Sequence, residues 1–162
     1  IDWQGGQGDI TIGTTILDGI KKSVSDSTEI IYSKDGSDVV SNSDNIALVV
    51  VGEDPYTEWF GDKENLDLSA DDITLINTLK DKGFKVVVLL ISGRPLNVAN
   101  HIDQWDAFAA IWLPGTEGDG VSDILFGDFS STGRLSFPWP VNTEEGSSAS
   151  KDNLLFDIGY GL

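Results

Sequence analysis

The sequence predicts an α/β domain, a three-layer sandwich with a mostly parallel sheet of about six strands. Three short segments, apolar apart from Lys85, carry this prediction: Ile46 to Val51, Lys85 to Ile91 and Ala107 to Leu113. Continuous apolar runs of this length are typical of strands that are buried on both faces of a parallel sheet. Segments long enough for crossover helices separate the runs. The 162 residues fit a single domain of this kind, spanning 1–162.

The helices of this domain are indicated by apolar spacing and by capping residues. Between Thr11 and Val24, apolar residues recur at the spacing of a helix. Ser69 is a good N-cap for a second helix, which Gly83 is placed to end. The segment from Glu117 to Phe126 predicts a third helix. A short helical segment is expected over 98–102.

The remaining segments are read as strands or loops. Glu29 to Tyr32 is a short strand candidate, and 33–45 is a polar exposed loop with Gly36 and several Asp residues. Leu135 to Trp139 is expected to be extended. A polar, flexible stretch then covers 143–150, and 154–162 forms a final docked segment.

Composition excludes several classes of function. The net charge of −17 repels nucleic-acid phosphates and anionic membranes, so neither is an expected partner. No apolar run is long enough to span a bilayer, so no membrane insertion is expected. Without cysteine there is neither a disulfide nor a thiolate metal site, and no metal or other cofactor is expected. Because Ile1-Asp2 is not a natural translation start, we expect the chain to be a piece of a longer protein.

Polar residues gather where the predicted strands end. Ligands of open parallel sheets bind beyond the carboxyl ends of the strands. The three ends here are 52–58, 92–95 and 114–118. They bring several carboxylates, one arginine and flanking aromatic residues to the same edge. The sequence therefore predicts a binding or catalytic site at this edge.

Two interpretations fit Glu58. It lies in an irregular segment of the length at which loops are usually functional, and Tyr56, Trp59 and Phe60 accompany it. Burial beside aromatic rings would raise the pKa of its carboxyl group, as a general acid requires. The alternative is a solvated glutamate on an acidic surface, which spacing alone slightly favours.

Other candidates at this edge also have structural interpretations. Glu53 is expected to accept hydrogen bonds from backbone N–H groups or from Arg94. Arg94 fits an ion pair and a substrate clamp equally well. Glu117 opens a helix, where a capping or dipole role is favoured. Trp3 beside Gly-rich sequence could stack on a sugar ring, but a core position is favoured.

Several other patterns give weak signals. The glycines of 5–8 follow no strand and match no phosphate-binding motif. His101 is expected at the surface or as a cap, and Ser92 is far from a nucleophile-elbow pattern. The Asp-rich loop 35–44 lacks the spacing of a calcium loop, so it is interpreted as a solvated turn.

Ordered motifs along nearly the whole chain resemble glycoside hydrolase family 3, in particular its plant and marine bacterial exo-β-glucanases. They are Ile1–Gly5, Thr11–Leu17, Val51–Glu58, Gly61-Asp62 with Asn65-Leu66, Ile91–Leu96, Trp112–Gly118, Leu125–Phe129, Thr132–Leu135 and Gly159–Leu162.

The resemblance implies a function for the intact protein. Enzymes of this family pair a (β/α)₈ barrel, which supplies the nucleophilic Asp, with an (α/β)₆ sandwich. It implies that Glu58 is the acid/base and that Trp3 is one wall of an aromatic clamp. For Glu53, Arg94 and Glu117 it implies no established catalytic role. The expected substrates are β-glucan oligosaccharides, which release glucose from their non-reducing ends, and the expected location is secreted or periplasmic.

The chain departs from the family by lacking the barrel. Its expected partner is therefore its own N-terminal barrel domain, and the isolated chain is expected to be inactive. Two alternatives remain. One is a non-catalytic α/β module that binds sugar or has a structural role. The other is a nucleotide-binding doubly wound domain, which the missing glycine fingerprint after Val51 disfavours.

Overall fold

A parallel three-stranded sheet forms the centre of the domain. The computed structural model describes residues 8, 10–42, 44–56, 58–142 and 153–161, with only the backbone at residue 58. Strands β1 (Ile46–Gly52), β2 (Lys85–Ile91) and β3 (Ala107–Trp112) lie in the order β1-β2-β3. Both neighbouring pairs run parallel, so all three strands end at the same edge. The predicted parallel α/β sheet is confirmed.

The central strand is covered on both faces, whereas β1 is not. Val88, Leu89 and Leu90 on β2 are all buried, although successive side chains point to opposite faces. On β1, Val49 is buried but its neighbour Val50 is 41% exposed. The prediction that this run is buried on both faces is wrong for the described residues. The apolar run could not reveal that β1 lies at the edge of the sheet formed by the described residues, with Val50 partly exposed.

Helix α2 (Ala70–Asp81) packs against β1 and β2 and covers the main core. It begins as predicted, because the Ser69 side chain accepts the backbone N–H of Asp72 at 3.0 Å. Trp139 completes this core. Its ring is 1% exposed, contacts the rings of Phe108 and Phe156, and its Nε1 donates to the Leu96 carbonyl at 3.0 Å.

The number of strands differs from the prediction. Within the described residues the parallel sheet has three strands rather than about six. The candidate at 29–32 is irregular and pairs with no strand there, and Ile31 is 63% exposed. The segment from Leu135 forms only the short strand β4 (Trp139–Pro140), which pairs antiparallel with β5 (Leu154–Phe156). A β-branched sequence forms a strand only where a neighbouring strand accepts its hydrogen bonds.

The other two helices pack closely against each other. They are α1 (Ile16–Ser23) and α3 (Gly118–Phe126), both shorter than the predicted segments. Their N-terminal ends are joined by backbone hydrogen bonds from Thr14 N to Thr116 O at 2.9 Å and from Gly118 N to Thr14 O at 3.0 Å. Lys22 and Asp119 add an ion pair at 3.0 Å.

Gly118 makes this close approach possible, so replacing it with alanine should destabilise the fold. A Cβ atom at Gly118 would lie 2.3 Å from the carbonyl carbon of Thr15 and 2.5 Å from the backbone nitrogen of Ile16. Because these are backbone atoms, the helices must shift, and we expect a loss of about 2–3 kcal/mol. A Cβ atom at Gly120, on the same helix, would meet no atom within 4 Å apart from its chain neighbours and the nearby backbone of its own helix.

Gly120→Ala is therefore the matched control, and it should be neutral or stabilising by roughly 0.5–1 kcal/mol. Urea unfolding of the two variants measures the difference. Equal midpoints for Gly118→Ala and Gly120→Ala would show that the contact between α1 and α3 is not close in solution.

A lysine organises the Asp-rich loop. The Nζ atom of Lys82 donates to the carbonyl oxygens of Gly36, Ser37 and Val39 at 2.6, 2.8 and 3.0 Å. Gly83 follows in the left-handed conformation, with φ of 87°, and ends α2 as predicted. An ammonium group thus holds the carbonyl oxygens of this loop.

Candidate active site

Glu53 and Ser92 are neighbours because β1 and β2 end in register. Gly52 pairs with Ile91, and the backbone N–H of Glu53 donates to the Ile91 carbonyl at 3.2 Å. The next residue on each strand therefore lies at the same level of the edge. The Ser92 Oγ atom lies 2.8 Å from Glu53 Oε2. The predicted meeting of polar strand-end residues is found here.

Glu53 and Arg94 form a two-pronged ion pair. Arg94 Nη2 lies 2.6 Å from Glu53 Oε1, and Arg94 Nε lies 3.2 Å from each carboxylate oxygen. The side chains of Glu53 and Arg94 are only 7% and 23% exposed. Lys63 adds a more distant contact to Glu53 Oε1 at 3.6 Å. Of the interpretations open for Arg94, the structure shows the ion pair, and it confirms that Glu53 accepts from Arg94.

The ion pair determines the charge of Glu53. Burial alone would raise the pKa of this carboxyl group. Hydrogen bonds from Arg94 and Ser92, together with the charges of Arg94 and Lys63, outweigh burial and hold the pKa below its ordinary value. Burial would likewise lower the pKa of Arg94, but the hydrogen bond to Glu53 raises it overall. Glu53 is thus an anion at neutral pH and is unsuited to act as a general acid.

Arg94 also contacts the segment that follows β1, at two points. Its Nη1 donates to the Gly61 carbonyl at 2.5 Å, and its Cζ lies 4.5 Å from the centre of the Tyr56 ring. Tyr56 also packs against Gly61, where an added Cβ would lie 2.3 Å from the ring. Burial and the nearby charge of Glu53 raise the pKa of Tyr56, so its hydroxyl stays protonated.

Glu58 begins a short 3-10 helix, Glu58–Gly61, between these two contact points. Its backbone therefore lies on the polar edge, but its side chain is outside the described part of the chain. The rings of Trp59 and Phe60 are 68% and 74% exposed, with centroids 5.8 Å apart. These two rings face solvent. The expectation that aromatic rings surround the Glu58 carboxyl group stays a prediction.

Two candidates remain, Glu117 and Trp3. Glu117 precedes α3, but its side chain makes no capping hydrogen bond and accepts instead from Thr116 Oγ1 at 3.0 Å. The capping role is therefore wrong, although the carboxylate still sits at the start of a helix. Trp3 lies outside the described residues. Sequence reasoning missed the roles of Ser92 and Gly61.

Two further properties of the described residues concern metals and membranes. These residues contain no group of three or more His, Asp or Glu side chains arranged to hold a metal ion. Each of their helices falls short of the length and apolarity needed to cross a membrane.

The fold and the site define a class of protein: an α/β domain with a polar site beyond the carboxyl ends of parallel strands. Residues 1–162 match the model of the glycosyl hydrolase family 3 C-terminal domain. The chain belongs to glycoside hydrolase family 3.

Similar proteins agree with this membership. An exo-1,3/1,4-β-glucanase from a Pseudoalteromonas species has a crystal structure that matches 93% of this chain and 20% of that chain, with 37% identity and a TM-score of 0.76. A β-xylosidase from Formosa agariphila is 31% identical over 91% of this chain and 25% of that protein. A lysosomal β-glucosidase from Dictyostelium discoideum is 29% identical over 88% of this chain and 20% of that protein. The chain thus spans 20–25% of the lengths of these relatives.

Proposed function

We propose that this chain is the acid/base-supplying domain of a retaining exo-β-glucanase or β-glucosidase. The intact enzyme, meaning this chain together with an N-terminal barrel, releases glucose from the non-reducing ends of β-glucans. It works outside the cytoplasm, either secreted or in the periplasm. Trp3 forms one wall of the subsite for the leaving sugar.

One observation carries the assignment of the acid/base. The strand-end segment 53–58 contains two glutamates, and Glu53 is committed to Arg94 and Ser92 as an anion. The resemblance to family 3 implies that Glu58 is the acid/base, and the backbone of Glu58 lies beyond the end of β1.

The proposed reaction has two steps. An aspartate of the barrel attacks the anomeric carbon while Glu58 gives its proton to the glycosidic oxygen, which leaves with the bonding electrons. The glucose is then held as an ester of the aspartate. Glu58 next takes a proton from water as the water attacks the anomeric carbon, and the ester bond breaks. Two carboxyl groups about 5–5.5 Å apart are needed, and each domain supplies one.

The experiment that tests the acid/base role is Glu58→Gln in the intact enzyme, with Glu64→Gln as a matched control. Glu64 is an exposed glutamate of the same loop. We expect only the first variant to lose turnover of β-glucan. Near-normal turnover by Glu58→Gln would refute the proposal.

A separate prediction concerns the isolated chain. Without the nucleophile of the barrel, the purified 162-residue chain should not hydrolyse aryl β-glucosides above the buffer rate. Release of nitrophenol measures this, with the intact enzyme as the positive control. Hydrolysis by rigorously pure chain would contradict the two-domain reaction.

A further inference from the structure

Arg94 contacts both flanks of the turn that begins at Glu58. One flank is the Tyr56 ring, 4.5 Å from the guanidinium carbon, and the other is the Gly61 carbonyl, 2.5 Å from Nη1. A single side chain thus joins two points that are five positions apart in sequence. These two contacts tie both flanks of the turn to one guanidinium group.

The arginine is itself held in a fixed place. Glu53 binds it through three short contacts, and the Ser92 hydroxyl accepts the backbone N–H of Arg94 at 3.2 Å. Ser92 is 2% exposed, and the Ser92 Oγ also lies 2.8 Å from the Arg94 carbonyl oxygen. Because Glu53 and Ser92 directly follow paired strands, the guanidinium is anchored to the most regular part of the fold.

The contacts of Arg94 need a planar guanidinium. Nε and Nη2 point to Glu53, while Nη1 points to Gly61 and the flat face lies over Tyr56. A lysine ammonium is a point charge, and it cannot make the bidentate contact and cover the ring together. The arrangement is therefore specific for arginine rather than for positive charge.

We propose that Arg94 is a positioning residue, which sets the place of Glu58 by clamping Tyr56 and Gly61 to the ends of β1 and β2. The inference rests on the proposed acid/base role of Glu58. Arg94 acts through the backbone of the turn and does not touch the substrate.

Substrates with different leaving groups distinguish the loss of Glu58 positioning from a general loss of active structure. A general acid matters most when the leaving group is a poor one, such as a sugar or an alkyl alcohol. It matters little for dinitrophenolate, which leaves without a proton. In the intact enzyme, Arg94→Lys should lower kcat/KM for poor leaving groups about 10- to 100-fold, as expected for a misplaced general acid. The kcat/KM of this variant for dinitrophenyl β-glucoside should stay within about threefold of that of the unchanged enzyme.

Arg134→Lys is the matched control, because Arg134 is the other arginine of the chain and its side chain is exposed. It should leave both classes of substrate unchanged. Equal losses on both classes for Arg94→Lys, or no loss on either, would overturn the inference. If Arg94→Lys does not fold, Tyr56→Leu is tested with the same two classes of substrate. This variant keeps the ion pair between Glu53 and Arg94 but removes the contact of Arg94 with the Tyr56 ring.

The result for Glu58→Gln distinguishes a failure of the acid/base role of Glu58 from a failure of the positioning role of Arg94. If this variant loses activity selectively on poor leaving groups but Arg94→Lys does not, the acid/base role stands and the positioning role fails. If Glu58→Gln shows no such selectivity, the acid/base role fails, and the positioning role fails with it.

Discussion

Glu58→Gln in the intact enzyme should lower kcat/KM for β-glucan about 10²- to 10⁴-fold, the usual contribution of a general acid. Glutamine keeps the size of the side chain but has no proton to give to the glycosidic oxygen. For dinitrophenyl β-glucoside, kcat/KM should change little because this ratio reports the first step, and dinitrophenolate leaves unaided.

Glu58→Gln should also slow the second step, in which water attacks the glucosyl ester. With dinitrophenyl β-glucoside, kcat should fall because Glu58 no longer removes the proton of the attacking water. Azide is an anionic nucleophile that needs no such help, so added azide should restore kcat and yield a β-glucosyl azide. Product analysis and initial rates measure both effects. Glu64→Gln should behave as the unchanged enzyme does. A uniform loss without azide rescue in Glu58→Gln would refute the acid/base role.

The central fold could be predicted from the sequence because its strands are continuous apolar runs. Val86 to Ile91 within β2 is such a run, and runs of this kind are typical of strands inside a parallel sheet. The prediction failed where local sequence does not determine the neighbours. Ile31 has the β-branched side chain that strands favour, yet it is exposed and unpaired with any strand in the described residues.

The site was predictable to the extent that it follows from strand order. Glu53 and Arg94 come after the ends of adjacent strands, so their ion pair could be expected from the sequence. The contact between Arg94 and the Gly61 carbonyl could not, because it joins residues 33 positions apart through the path of a loop. The spacing of apolar residues in the sequence gives no information about the path of a loop.

The role of Glu53 leads to an effect on stability rather than on chemistry. Glu53→Gln should lower the free energy of unfolding by about 2–3 kcal/mol near neutral pH, since removing one partner of a largely buried ion pair leaves the other without its counter-charge. The partial exposure of Arg94 keeps the loss below that of a fully buried pair. Glu64→Gln, which removes the same charge from an exposed position, should stay within about 0.5 kcal/mol of the unchanged protein.

The pH dependence of this loss is determined by the pKa of Glu53. The folded chain holds that pKa below the ordinary value of 4.5, so unfolding takes up a proton at pH values between the two. The stabilisation is therefore complete above pH 4.5 and is lost as the pH falls through the lowered pKa. Urea unfolding between about pH 7 and about pH 3 should show the curves of the unchanged protein and of Glu53→Gln converging at the acid end. Curves that stay parallel over that range would mean that the carboxylate of Glu53 is not held by Arg94 in solution.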